Sequence, residues 1–164
     1  MFSEEIMEIE KARLDDTDEL VELRLAYLEE DNGSLDFDMA RKIRETLPDY
    51  YRSKLNKELF VYLIREDNVI VSCAFLLIVQ KPMSPSFPNG KTGVVLNVYT
   101  RPSSRRKGYA RKIMDGLIQD AERMQLSVID LLATEDGYPL YQKVGFKDDE
   151  SKYHPMKWRP SGSH

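Results

Sequence analysis

The sequence predicts a single α/β domain built on a mixed sheet, and three observations carry that expectation. Runs rich in β-branched and aromatic residues, such as "LFVYLIRED" and "VIVSCAFLLIVQ", alternate with segments whose apolar residues recur at three- and four-residue steps. The 164 residues suit one domain, since domains typically span about 100–200 residues and a chain of that size buries a full core. No internal repeat, low-complexity tract or linker divides it, so residues 1–158 read as one domain and 159–164 as a polar tail.

The elements follow in order. "IMEIEKA", residues 6–12, alternates weakly and reads as a first strand. In "LDDTDELVELRLAYLEED" the residues Leu20, Leu23, Tyr27 and Leu28 fall at helical spacing, and Asp16 with Glu19 suits a capping box. "DNGS" breaks that helix. A second begins near Asp36 and turns Met39, Ile43 and Leu47 inward, with Pro48 bending or ending it. The two β-rich runs, joined by Asp67-Asn68, form a hairpin, and "KPMSPSFPNGKTG", with its three prolines, is a long loop. "VVLNVYT" is a largely apolar and therefore central strand. Ala110, Ile113, Met114, Leu117, Ile118 and Ala121 mark an amphipathic helix over 109–124. "SVIDLLA" adds a strand, "DGYPLYQKVGF" a short helix ending at Gly145, and "KYHPMKW" a last strand.

Composition narrows the functions. A net charge of −4 and a pI near 5.3 oppose nucleic-acid or anionic-membrane binding, which needs a basic face over much of a domain. Cationic ligands are favoured. One cysteine, Cys73, rules out an internal disulfide and a cysteine-rich zinc cluster; it lies in an apolar run and reads as a packing residue. His154 and His164 lack metal-ligand spacing. The start, "MFSEEIMEIEKA", lacks the basic-then-apolar order of a signal peptide, and no apolar run is long enough for a membrane span, so a cytoplasmic protein is expected.

Against that acidic background, "RPSSRRKGYARK" holds four arginines and two lysines in residues 101–112. By itself such a cluster is most often a solvated helix start. Here it links an apolar strand to an amphipathic helix, where unpaired N–H groups and the helix dipole attract anions. Gly108 lets a phosphate approach the main chain. The spacing is neither a nucleotide P-loop nor a dinucleotide fingerprint.

Arg105-x-x-Gly108-x-Ala110 resembles the acyl-coenzyme A signature R/Q-x-x-G-x-G/A of the GNAT superfamily of N-acetyltransferases, and "PLYQKVGF" resembles that family's L-Y-x-x-x-G-F. Element order agrees from residue 6 to about 158, and motif similarity lies mainly in 94–146. The resemblance implies a GNAT-like fold, a mostly antiparallel, splayed sheet of six to seven strands with four helices. It implies acetyl-coenzyme A as cofactor, with backbone groups of Leu96, Asn97, Val98 and Tyr99 pairing with its pantetheine arm by strand addition. Main-chain N–H groups of Arg106, Lys107, Gly108, Tyr109 and Ala110 would cradle the diphosphate, and the side chains of Arg105, Arg106, Lys107 and Arg111 are candidates for phosphate contact. Thr134 stands where relatives often place a cofactor-binding asparagine.

Acetyl transfer to an amine needs a neutral amine, a polarised carbonyl and a proton for the departing thiolate. An alkylamine with a pKa near 10.4 is neutral in only about one molecule in a few thousand at pH 7, so a base or water must take its proton. The resemblance implies that Tyr141 is the general acid and the Val98 N–H the carbonyl's donor. Tyr141 as a packing tyrosine is the plainer alternative. Many relatives carry a carboxylate on this strand, where Asn97 stands instead. Glu29, Glu30 and Asp31 are candidates for acceptor binding, although a solvated helix end is the commoner role for such a triplet. The expected function is N-acetyl transfer to a primary amine of a small molecule or peptide by direct attack in a ternary complex. The alternative is a non-catalytic acyl-coenzyme A binding or sensing module. Neither nucleic acid nor membrane is an expected partner, no metal is expected, and a homodimer is left open.

Overall fold

In the computed structural model, which describes residues 8–162, five strands form one sheet in chain order: β1 (Glu10–Lys11), β2 (Leu59–Glu66), β3 (Val69–Gln80), β4 (Lys91–Thr100) and β5 (Val128–Asp130). The first three pairings are antiparallel and β4 with β5 is parallel. Four helices accompany them: α1 (Thr17–Asn32), α2 (Phe37–Lys54), α3 (Tyr109–Arg123) and α4 (Tyr138–Val144). The chain groups into two compact units divided between Leu132 and Ala133.

In the first unit, β2 and β3 turn at Asp67-Asn68, whose φ values of 49° and 64° are both left-handed. That is the geometry a two-residue hairpin requires, and Asn and Asp adopt it at least cost after glycine. Alternate residues of the hairpin face opposite sides. Val61, Leu63, Cys73 and Phe75 join Leu20, Leu23 and Tyr51 in the core beneath α1 and α2. Tyr62, Ile64, Ala74 and Leu76 lie on the other side, where α3 packs with Ile113, Met114 and Leu117 buried. Full burial of each large apolar side chain contributes about 1.5–3 kcal/mol.

Two polar clusters lock the edges. Arg65 meets Asp16 at 2.7 Å and Glu10 at 2.9 Å, tying β1 and the start of α1 to β2. On the α3 side, buried Asp120 accepts from Tyr62 Oη at 2.5 Å and pairs with Lys11 Nζ at 2.7 Å. Burial alone would raise the Asp120 pKa, but these two partners outweigh it and hold the carboxyl below its ordinary value.

The structure corrects several expectations. Five strands form among the described residues instead of six to seven. Lys152 to Trp158 is not a strand: Pro155 lacks an N–H for a ladder, and Tyr153, Met156 and Trp158 stand exposed. Of the first strand, Ile6 and Met7 lie outside the described residues, and only Glu10–Lys11 pairs. The capping box does not form, because Asp16 accepts from the Arg13 N–H and holds Arg65, while Glu19 accepts from the Ile70 N–H at 2.6 Å. Pro48 does not end α2, which runs on to Lys54 and buries Tyr51 completely. Met39, in its first turn, is half exposed rather than inward. The proline-rich loop is shorter than expected, since β4 already begins at Lys91.

Candidate active site

The site begins where the sheet fails to close. Thr92, Gly93 and Val94 pair with β5, and β5 ends at Asp130. From Val95 to Thr100 no strand among the described residues pairs with that edge of β4. An unpaired row of N–H and C=O groups is a template for an extended ligand.

The same stretch carries a bulge. On β3, Cys73 faces Tyr99 and Phe75 faces Leu96, so Asn97 and Val98 together oppose Ala74 alone. Asn97 takes the left-handed conformation that such a bulge needs, with φ 54°. The extra residue restores Leu96 and Tyr99 to one face, that of α1, where Tyr99 meets the Tyr27 ring edge-on at 6.3 Å. Asn97 is buried. Its Oδ1 accepts from Arg24 Nη1 at 3.0 Å, and its Nδ2 lies 3.7 Å from Cys73 Sγ. Cys73 is buried below it, and desolvation pushes its thiol up to about 12, so it is a packing residue with no thiolate to offer.

After Thr100 the chain makes a single 3-10 turn, Pro102–Ser104, and enters α3 through two left-handed residues, Arg106 (φ 65°) and Gly108 (φ 77°). The first helical bond runs from Lys112 N–H to the Gly108 carbonyl at 3.2 Å. The N–H groups of Gly108, Tyr109, Ala110 and Arg111 therefore have no helical acceptor. A Cβ placed on Gly108 would meet nothing within 4 Å, so the hollow of the turn is open.

The basic side chains divide by what they already hold. Arg105 binds both oxygens of Glu30 at 2.7 and 2.6 Å, donates Nε to the Thr100 carbonyl at 2.9 Å, and lies over the Tyr99 ring. It braces the turn against α1. Lys107 pairs with Glu66 at 3.0 Å; the Tyr109 hydroxyl and Lys107 together hold the Glu66 carboxyl below its usual value, and that bond pushes Tyr109 up to about 12. Arg111 pairs with Asp115 at 3.2 Å, and Arg101 donates to the Ile70 carbonyl. Arg106 and Lys112 form no ion pair among the described residues. Glu30 is thus neutralised by Arg105, whereas Glu29 and Asp31 are exposed at the end of α1.

In the second unit, α4 starts after Thr134, whose Oγ1 accepts from the Gly137 N–H at 3.1 Å, and ends at Gly145 in a left-handed conformation of φ 111°. Tyr141 is half-buried, its ring edge-on to Phe146 at 6.1 Å, and a Cβ on Gly137 would come within 2.8 Å of the Tyr141 ring, so a side chain there would displace the ring.

Two features escaped the sequence. Asn97 interrupting an apolar strand was the available sign of a bulge. Arg24, four residues after Leu20 and three before Tyr27, shares their helical stripe, and that spacing was the sign that it turns toward the sheet.

The donor set fits a long ligand with an anionic end: an open strand edge, then a helix start with orphan N–H groups, a side-chain-free hollow and two uncommitted cations. A family model for the acetyltransferase (GNAT) family matches residues 18–146. No protein of curated function matches the chain by sequence. Among solved structures, a predicted acetyltransferase from Clostridium acetobutylicum, determined with acetyl-CoA, is 27% identical with a TM-score of 0.79, over 93% of this chain and 96% of that one. A GCN5-related N-acetyltransferase from Ralstonia eutropha JMP134 is 23% identical with a TM-score of 0.74, over 92% and 98% of the two chains, a likeness of fold.

Proposed function

The chain belongs to the acetyltransferase (GNAT) family, and on that premise we propose that it transfers an acetyl group from acetyl-coenzyme A to a primary amine by direct attack in a ternary complex. The observation that carries this reading is the open edge of β4 leading directly into the Gly108 turn. Bound acetyl-coenzyme A would supply the acyl group as an activated thioester. Main-chain groups of Leu96, Val98 and Tyr99 pair with its arm, and the N–H groups from Arg106 to Ala110 hold its diphosphate. Arg106 carries the phosphate contact most directly, because Arg105, Lys107 and Arg111 already hold carboxylates. Lys112 joins it.

The Val98 N–H, within the bulge, polarises the acyl carbonyl. As the amine attacks, a C–N bond forms and the C–S bond breaks. One amine proton leaves to solvent, since Asn97 accepts no proton and Glu30 is held by Arg105. Tyr141 protonates the thiolate and regains a proton from solvent, which balances the one the amine released; the match of its surroundings to the family's L-Y-x-x-x-G-F pattern supports that role.

A thiol-release assay with acetyl-coenzyme A against polyamines, amino acids, aminoglycosides and peptide amino termini tests the reading. Turnover of at least one amine is expected, with Tyr141→Phe lowering kcat far more than cofactor affinity. Equal kcat in that variant removes the general-acid assignment. Saturable coenzyme A binding without turnover of any amine would replace catalysis by acyl-coenzyme A sensing.

A further inference from the structure

We propose that the amine acceptor also carries an anionic group, a carboxylate or a phosphate, and that Arg24 binds it. This deepens the acetyltransferase reading and rests on it. Arg24 is half-buried on α1, with its guanidinium 5.8 Å from the Tyr27 ring centre and one hydrogen bond, to Asn97 Oδ1. Arg44, Arg65 and Arg105 each hold a carboxylate, whereas Arg24 holds none among the described residues. A guanidinium has five N–H donors in a fork that matches a carboxylate or phosphate, and a partly desolvated cation without a counterion favours any anion that reaches it.

The partner Arg24 does have sharpens the point. An aspartate at position 97 would anchor the bulge more strongly and cancel the charge. Asparagine anchors the bulge and leaves the charge intact.

Position makes that charge relevant to the acceptor. At roughly 3.3 Å per residue the open edge spans about 13 Å from Thr100 to Leu96. A ligand held at the Gly108 turn and extended along that edge delivers its far end, the reacting end, to the bulge. Arg24 is bonded to the bulge residue itself. Leu96, on the same face as Tyr99, is 38% exposed, which leaves an apolar surface beside the cation. An acceptor whose amine reaches the bulge therefore places a nearby anionic group within reach of Arg24.

The test compares matched amines: β-alanine with β-alaninamide, and phosphoethanolamine with ethanolamine. The anionic member should have a kcat/KM higher by about tenfold or more, as loss of a charge-assisted contact implies. Whichever pair shows the larger preference identifies carboxylate or phosphate. Arg24→Gln should raise KM for the anionic member alone, and Arg24→Lys should keep part of the preference. A readout without turnover uses the protein saturated with coenzyme A: the Arg24 Nε–Hε resonance should shift on titration with acetate or inorganic phosphate. Asn97→Asp, which gives Arg24 an internal carboxylate, should abolish that shift. Equal kcat/KM within both pairs, an unmoved resonance, or an Arg24→Gln defect equal for both members overturns the proposal and leaves acetyl transfer standing. A shifting resonance with no thiol release from any amine supports the anion site and overturns the acetyltransferase reading instead.

Discussion

Asn97 is asked to do two things at once, and replacing it separates them. It holds a left-handed backbone angle, φ 54°, and it accepts a hydrogen bond from Arg24 at 3.0 Å while buried. Asn97→Gly keeps the conformational freedom and loses the bond. A hydrogen bond to a charged group is worth about 1.5–3 kcal/mol, and that is the expected loss. Asn97→Ala loses the bond too and forces a Cβ residue into the left-handed region, which adds about 1 kcal/mol. For a protein of this size each kcal/mol moves Tm by about 2–4 °C. The alanine variant should therefore melt on the order of 10 °C below the parent, with glycine between them. Thermal and urea unfolding followed by circular dichroism measures the order. An alanine variant as stable as the glycine one would show that the bulge does not constrain position 97, and the account of how Leu96 and Tyr99 come to share a face would fail with it.

Other predictions follow from the same structure. Gly108→Glu should abolish measurable coenzyme A binding in calorimetry through charge repulsion at the turn, whereas unchanged affinity would show that the phosphates bind elsewhere. Gly108→Ala, with open space around its methyl and only the φ of 77° against it, should cost about 1 kcal/mol of stability by denaturant titration. Asp120, its carboxyl held below the ordinary aspartate range by Lys11 and Tyr62, stabilises the fold fully above that range and loses its contribution as pH falls through the folded pKa. Between pH 5 and pH 3 the parent should therefore lose more unfolding free energy than Asp120→Asn; equal losses would remove Asp120 from the acid response. Cys73, with its thiol pushed up to about 12 by burial, should resist maleimide in the native protein and react only as fast as the fold opens. Rapid native labelling would contradict its burial.

Local pattern made much of this molecule legible in advance. Helical spacing in 109–124 marked a helix that observation bounds at Tyr109–Arg123, and Gly145 marked the end of α4, because periodicity and left-handed glycines are properties of neighbouring residues. The turn from Arg105 to Ala110 was legible for the same reason. Pro48 misled because one missing N–H weighs less than the burial of Tyr51 a turn later. The role of Arg105 was hidden, since its partner Glu30 lies 75 residues away in sequence.

By itself, then, the sequence determined the element order as far as α4, the motifs at either end of the 94–146 stretch and the family they resemble. Tertiary structure alone decided that β5 stops after Asp130 and leaves β4 open, and that the bulge turns Leu96 and Tyr99 to one side. It also decided which cations of the basic cluster are spent on Glu30, Glu66 and Asp115, and that Arg24 is left without a counterion among the described residues. The physical reason is range. Propensity and spacing act over a few residues, whereas strand register and charge pairing depend on segments that meet only once the chain has folded.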